Sequence, residues 1–383
     1  MKRLLGILLL CAVAFPAPAQ RPQTRFNLAE QTRRDRFAWE YDADFLFHFD
    51  NREFAYSQDA ITPSMTVNAV VLTPTVGFSV TQSSRVHHRL TAGVELAHDL
   101  GSQTWQDLPR EMLLFYDGHI RTRRGVFEGL AGIFPRRYAE GSYSEAFFSD
   151  SLKFYDRNLE GLLLKWRAPR FYAELGCDWM GQAGHERKER FQIISAGSWR
   201  AAWWLTLGWT GSFYHYAGSD LAPGVVDNHL LHPWVKLDFA RRTPWQELSL
   251  QAGPLIGYQL DRMRAETPTV PAGGEAVLTL RRWNVSLQNT AYFGGNLQPL
   301  YAGHDLGGFK YSHDLYFGLP FYTRFYDRLE AAWTPAITRY LSLRLAARAH
   351  FSPAGFLGWQ QVFSLHFNLD ALRNRDFVSG RCL

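Results

Sequence analysis

Residues 37 to 50 read FAWEYDADFLFHFD. Taking every second residue from Phe37 gives Phe37, Trp39, Tyr41, Ala43, Phe45, Phe47 and Phe49, all apolar or aromatic. The other set is Ala38, Glu40, Asp42, Asp44, Leu46, His48 and Asp50. Side chains alternate across a β-strand, so one face is greasy and the other is acidic. Two environments accept such a strand. One is a soluble sheet with its greasy face on a core. The other is a membrane barrel with the greasy face on lipid and the acids in a wet lumen.

The pattern recurs along the chain. VHHRLTAGVELAH sets Val86, His88, Leu90, Ala92, Val94 and Leu96 against His87, Arg89, Thr91, Gly93 and Glu95. FYAELGCDW, WWLTLGWTGSFY, ELSLQAGPLIGYQL, WNVSLQNTAYF, YLSLRLAARAHF and GWQQVFSLHFNL behave alike. These are period-two strands, and no helical period follows residue 37. Short links near 83–84, 121–124, 168–170, 197–200, 241–246, 281–282 and 334–338 alternate with longer ones near 50–65, 99–109, 136–152, 181–189, 216–228, 261–273, 294–318 and 352–357. The reading is an all-β, transmembrane, antiparallel up-and-down barrel of about sixteen strands, with fourteen or eighteen left open, short periplasmic turns and longer external loops. Charges on the lipid face would cost roughly 2–4 kcal/mol at mid-depth, which is why they crowd onto the other face.

Three features strain this reading. VFEGLAGIF alternates poorly, and KFYDRNLEGLLLKW mixes both faces. Pro74, Pro233 and Pro254 fall in strands, although a closed barrel has no edge to hide a missing N–H. A soluble sandwich or propeller would avoid that difficulty, but the rings on the greasy face are large and blade-length repeats are absent.

The first residues agree with export. MKRLLGILLLCAVAFPAPAQ has a basic start, an apolar stretch and a small-residue cleavage site at Ala17-Pro18-Ala19. The expected organisation is a signal peptide over 1–19, a periplasmic N-terminal segment over 20–36, the barrel over 37–370 and a periplasmic tail over 371–383. Removing Lys2 and Arg3 leaves 39 basic against 36 acidic residues, or +3. So mild an excess gives no argument for nucleic acid. Two cysteines remain, Cys177 and Cys382, too few for a disulfide framework.

Export signal, alternating strands and loop asymmetry together resemble the bacterial outer-membrane barrel class, porin-like in size, over nearly all of the mature chain. FFSDSLKFYDRNLEGLLLKW also looks like a segment of outer-membrane proteins without assigned activity. The resemblance implies a cell outer-membrane location, lipid around the barrel and no cofactor.

On the inner face, arginine marks two consecutive strands. PFYTRFYDRLEAAW puts Arg324, Arg328 and Glu330 on one face, and YLSLRLAARAH does the same for Arg344 and Arg348. A turn centred near Ala336 would set Arg328 opposite Arg344 and Arg324 opposite Arg348. Facing like charges need neutralising. Closure would bring Asp42 and Asp44 within roughly 10 Å, two strand spacings. The bland reading is thus an internal salt-bridge network, and the sharper one an anion path. Glu40, Arg89 and Glu95 complete the expected pore lining, with Asp117, Arg121, Glu174, Asp178, Lys236 and Asp238 as wall polarity. The loop 136–152 either folds into the barrel and narrows it or caps the rim. Ser364-x-His366 invites a hydrolase reading, but no orienting acid can be placed beside it. The lone His185 in HERKER has no zinc spacing around it.

The leading reading is a channel passing small polar solutes, with anions favoured if the arginines face the passage. The alternatives are a structural or surface-interaction barrel with a filled lumen and, further off, an outer-membrane hydrolase. The leading reading predicts a mature chain beginning near Gln20. Membrane fractionation should recover it in the outer membrane, whereas recovery as a soluble periplasmic protein would overturn the barrel.

Overall fold

The computed structural model describes residues 36–54, 64–82, 85–101, 111–185, 189–217, 224–263, 265–297, 324–338 and 340–369. The expected signal peptide and C-terminal tail lie outside these residues. Period-two segments appear as strands β1 (Arg36–Phe54), β2 (Met65–Gln82), β3 (Val86–Asp99), β4 (Glu111–Arg121) and β5 (Val126–Pro135). A short helix α1 (Asp150–Tyr155) precedes β6 (Asn158–Arg167), β7 (Phe171–Gly181), β8 (Arg190–Arg200) and β9 (Leu205–Tyr216). Then come β10 (Val226–Asp238), β11 (Glu247–Asp261), β12 (Ala272–Arg282) and β13 (Val285–Gly294). The last are β14 (Phe325–Trp333), β15 (Leu341–Ser352) and β16 (Gly355–Asn368).

Each strand pairs antiparallel with its neighbours in sequence, and β1 pairs with β16. The sixteen strands therefore close into one barrel, as the alternation predicts. Closure runs from Asp44↔Asn368 to Phe54↔Gly358. No backbone edge is left open to lipid, the condition for a sheet to cross a bilayer.

The alternation is realised in three dimensions. Phe37, Trp39, Leu175, Leu207, Leu231, Leu278 and Leu329 are exposed on the outer face. Glu95, Asp117, Glu174, Asp178, Thr210 and Arg328 are buried on the inner one.

The prolines find a simple accommodation. The β10–β11 ladder pairs Leu231 with Ile256 and Val235 with Ala252, and is interrupted between them. That register sets Pro233 opposite Pro254, so one gap absorbs both missing donors. A Cβ on Gly253 would lie 2.0 Å from the Pro233 carbonyl oxygen, so only glycine allows the close approach there. The β2–β3 ladder is likewise interrupted beside Pro74, between Leu72 and Thr75.

Two connections differ from the sequence expectation. The β15–β16 link, expected to be long over 352–357, is a two-residue turn. Ser352 pairs with Gly355, and the Ala354 amide donates to Ser352 Oγ at 3.1 Å. The β14–β15 turn centres on residue 339, because Trp333 pairs with Leu345 and Glu330 with Arg348.

Facing can be tested on β9. With Cys177 and Cys382 replaced, Leu207→Cys should react with a lipid-soluble maleimide and Thr206→Cys with a water-soluble one. The reverse pattern would mean a one-residue error in register.

Candidate functional site

From Pro135 the chain turns into the barrel. Arg136–Tyr138 form a single 3-10 turn, and α1 follows. Ser149 caps α1 by accepting from the Leu152 amide at 3.1 Å. The walls that this segment touches show that it crosses the lumen. The Glu140 and Gly141 amides donate to the Glu174 carboxylate of β7 at 2.8 and 2.7 Å. Thr210 of β9 donates to the Ser142 carbonyl at 2.8 Å, and Ser144 donates to Glu275 of β12 at 2.8 Å. Glu145 pairs with Arg328 of β14 and Asp150 with Arg348 of β15. Phe154 stacks on His48 of β1 at 4.7 Å and packs on Val67 and Ala69 of β2. A loop capping the rim could not reach all these walls at once.

Apolar packing holds the loop as well. Tyr138, Phe147, Phe148 and Leu152 are buried in one cluster with Phe115, Leu130, Phe134, Leu159, Leu163, Ile194 and Tyr214. Each such buried side chain contributes about 1.5–3 kcal/mol. Leu130, Phe134, Leu159 and Leu163 are the residues that spoil the alternation of VFEGLAGIF and KFYDRNLEGLLLKW. They point inward, onto the loop.

The arginine strands carry a different pairing from the one expected. With the turn centred at 339, Arg328 lies opposite His350 and Arg348 opposite Glu330. Glu330 bridges Arg344 and Arg348, accepting from each at 2.6 Å. Arg324 lies just before β14, exposed at the long-loop mouth, where its carbonyl accepts from the Gly294 amide. The acids of β1 do not neutralise these arginines. Asp44 pairs with Arg137 of the loop and stands 3.3 Å from His366, while Asp42 accepts from Asn368 at 3.1 Å. The balancing acids are Glu330 of β14 together with Glu145 and Asp150 from the loop.

The remaining expected residues sit in smaller pairs. Arg89 donates to Asp117 at 2.6 Å and to Tyr138 Oη at 2.9 Å, with Glu40 at 3.7 Å. Glu95 faces Arg157 at 3.4 Å. Arg136, Glu140, Lys165 and Arg167 escaped the sequence reading. Lys165 lies 2.7 Å from Glu128, Arg167 pairs with Glu128 and Glu140, and Arg136 lies 2.7 Å from Asp178. The failed alternation on β5 and β6 was the one available sign that something packs inside there.

Ser364 meets His48 Nδ1 at 3.1 Å, whereas His366 turns to Asp44. The imidazole beside Ser364 is thus that of His48, not that of His366, and the acid that the sequence did not place beside His366 is Asp44. Among the described residues no cluster of His, Cys, Asp or Glu could hold a metal ion.

Beside the loop lies a cavity of about 770 Å³, which runs from Ala168, Phe171 and Arg200 near the short turns to Glu95 and Asn158 at the long-loop ends of their strands. Seven cations line it: Arg136, Arg137, Lys153, Arg157, Arg167, Arg200 and Arg344. Only two acids do, Glu95 and Glu140. In several pairs around it the cation is the more exposed partner: Arg137 is 32% exposed against 6% for Asp44, and Arg344 23% against 8% for Glu330. Glu140 departs from this, being as exposed as Arg167 and more exposed than the buried Lys165.

Two outcomes follow. Glu330→Gln leaves Arg344 and Arg348 without their shared acid, and the denaturation midpoint should fall by an amount worth about 1–3 kcal/mol. For the loop, burial alone would raise the Asp150 carboxyl. Arg348, Lys153 and Arg328 override it and hold Asp150 well below the ordinary value of 3.8. A depressed carboxyl contributes stability above its unfolded pKa and loses it as pH falls. A spin label at Tyr155 should therefore report one loop mobility from pH 7 to 5, loosening only below about pH 4.

No protein-family model matches the sequence, and no curated protein does. Among solved structures, OmpT, an outer membrane protein of Vibrio cholerae, superposes with a TM-score of 0.50 at 7% identity, over 87% of this chain and 97% of that one. Salmonella typhi OmpF in complex with daunomycin gives 0.48 at 7%, over 86% and 97%. Pseudomonas putida OprB gives 0.48 at 10%, over 86% and 93%. At such identities the likeness to OmpT speaks to the fold, and the fold of this chain is that of a porin-like bacterial outer-membrane β-barrel.

Proposed function

We propose that the chain is an outer-membrane channel through which small polar solutes diffuse, with anions favoured, and that it carries out no chemistry on them. The observation that carries this reading is the cavity beside the loop, with seven cations on its lining against two acids. Arginine linings favour anions because a fixed guanidinium offsets part of the lost hydration. Most of these cations are ion-paired, so the preference rests on which partner meets the water. In four pairs around the cavity that partner is the cation, namely Arg137–Asp44, Arg344–Glu330, Arg157–Glu95 and Arg167–Glu128, while Glu140 is as exposed as Arg167. Bulk salt screens such a field over about 10 Å at 0.1 M, so selectivity should be moderate.

A second reading has its own observation. The loop is fixed to walls on both sides of the barrel, which suits a lumen filled for structural or surface-interaction purposes. The two readings part in a planar bilayer. A channel gives single-channel steps, and in a salt gradient its reversal potential lies on the anion side. Arg137→Gln with Arg167→Gln and Arg344→Gln should move that potential toward cations. Absence of conductance from protein that shows the heat-modifiable gel shift of a folded barrel would favour the filled lumen.

A further inference from the structure

We propose that the short-turn rim is a collar that binds the anionic phosphodiester headgroups of phospholipids in the leaflet it meets. Seven connections lie on this rim, over 83–85, 122–125, 168–170, 201–204, 239–246, 283–284 and 334–340, and none contains Asp or Glu. Arginine recurs in them. Arg85, Arg123, Arg124, Arg170, Arg241 and Arg242 are all exposed, and among the described residues none has a carboxylate partner. The nearest acid before Arg241, Asp238, instead accepts from the Ala240 amide at 2.9 Å.

Aromatic rings fix the level of these arginines. Trp39, Trp199, Trp204, Phe239 and Trp283 are exposed at the same end of the barrel, where amphipathic rings settle at the membrane interface. The guanidinium of Arg242 lies 4.4 Å from the Trp203 ring centroid, and that of Arg282 lies 3.9 Å from Trp283. Trp283 and Asn284 both have positive φ, 51° and 66°, in a two-residue turn that carries this ring outward. The arginines thus stand at or just beyond the aromatic level, where phosphate groups lie. A guanidinium offers a phosphodiester two parallel donors, which an ammonium cannot.

The distribution names the partner. The six arginines occupy connections from β2–β3 round to β10–β11, more than half of the circumference. A protein partner would use one sector; a membrane leaflet surrounds the barrel. The cavity is served by a separate set that includes Arg167, Arg200 and Arg344.

The test uses the full chain reconstituted in bilayers, with spin-labelled phosphatidylglycerol and phosphatidylcholine as probes. The immobilised fraction of each gives their relative association constant. Each arginine–headgroup contact should be worth about fivefold at low salt, so wild type should prefer phosphatidylglycerol several-fold and lose the preference in 1 M salt. Changing the six arginines to glutamine should bring the ratio near one, and changing them to lysine should keep most of it. A wild-type ratio near one, a ratio indifferent to salt, or a preference surviving in the folded glutamine variant would overturn the collar. So would a glutamine variant with shifted reversal potential but unchanged lipid preference, which would make the rim a funnel for solutes. If the glutamine variant does not fold, the salt dependence of wild type and the ratio of the lysine variant decide.

Discussion

The structure depends on the seam between β1 and β16. In a bilayer an unpaired backbone N–H or C=O costs several kcal/mol, so a sheet crosses only when it has no edge. The pairing from Asp44↔Asn368 to Phe54↔Gly358 removes that edge. Once the seam is closed, every strand has a lipid side and a lumen side, and the period of two assigns each residue to one of them. The seam also explains where the prolines sit. A ring of sixteen strands offers no free edge, so a missing donor must be lost inside a ladder, and Pro233 opposite Pro254 lets one gap serve for two.

The loop between β5 and β6 turns a tube into a divided space. Its anchors are of two kinds. Phe147, Phe148 and Leu152 bury apolar surface against the β5–β6 wall and its neighbours, which fixes the loop to one side. Glu145 and Asp150 reach Arg328 and Arg348 on the far side. Removing Glu145 would strand the buried Arg328 guanidinium, a larger loss than the pair itself contributes, whereas Arg348 would keep Glu330 when Asp150 is removed. The arginines of β14 and β15 are therefore partly structural, since they hold the loop across the lumen.

This division sets what the sequence could reveal. Facing was legible nearly everywhere, since it needs only parity. Partners were not. Moving the β14–β15 turn centre from 336 to 339 changes the sum of paired residue numbers by six, an even number. Arg328, Glu330, Arg344 and Arg348 therefore keep their face, while Arg348 exchanges an arginine for Glu330 as its opposite residue. A turn of seven residues without a glycine signal leaves that offset free. The loop acids were invisible for another reason: a connection has no period, and its contacts are all distant in sequence. Only the inward leucines and phenylalanines of β5 and β6 hinted that the lumen contains an apolar partner.

The charge of the lumen cannot be read by counting. Nearly every cation there has an acid beside it, yet the pairs are not presented alike. Around the cavity the strand carboxylates lie against the wall and the guanidiniums meet the water, as with Arg167 at 16% exposed against Glu128 at 2%. On the loop the order reverses: Asp156 is 41% exposed against 5% for Arg136, and Asp150 33% against 10% for Arg348. Neither acid lines the cavity. Because Coulomb energy falls with distance, a solute in the water feels most the partner it can approach most closely, so the sign it meets depends on the order within each pair. One nearly neutral network thus offers a mainly cationic surface to the cavity, with Glu140 as the loop acid on its lining, and exposed carboxylates elsewhere on the loop. That asymmetry follows from a single fact: the loop supplies its acids from a backbone lying within the lumen, whereas the strands supply theirs from the wall.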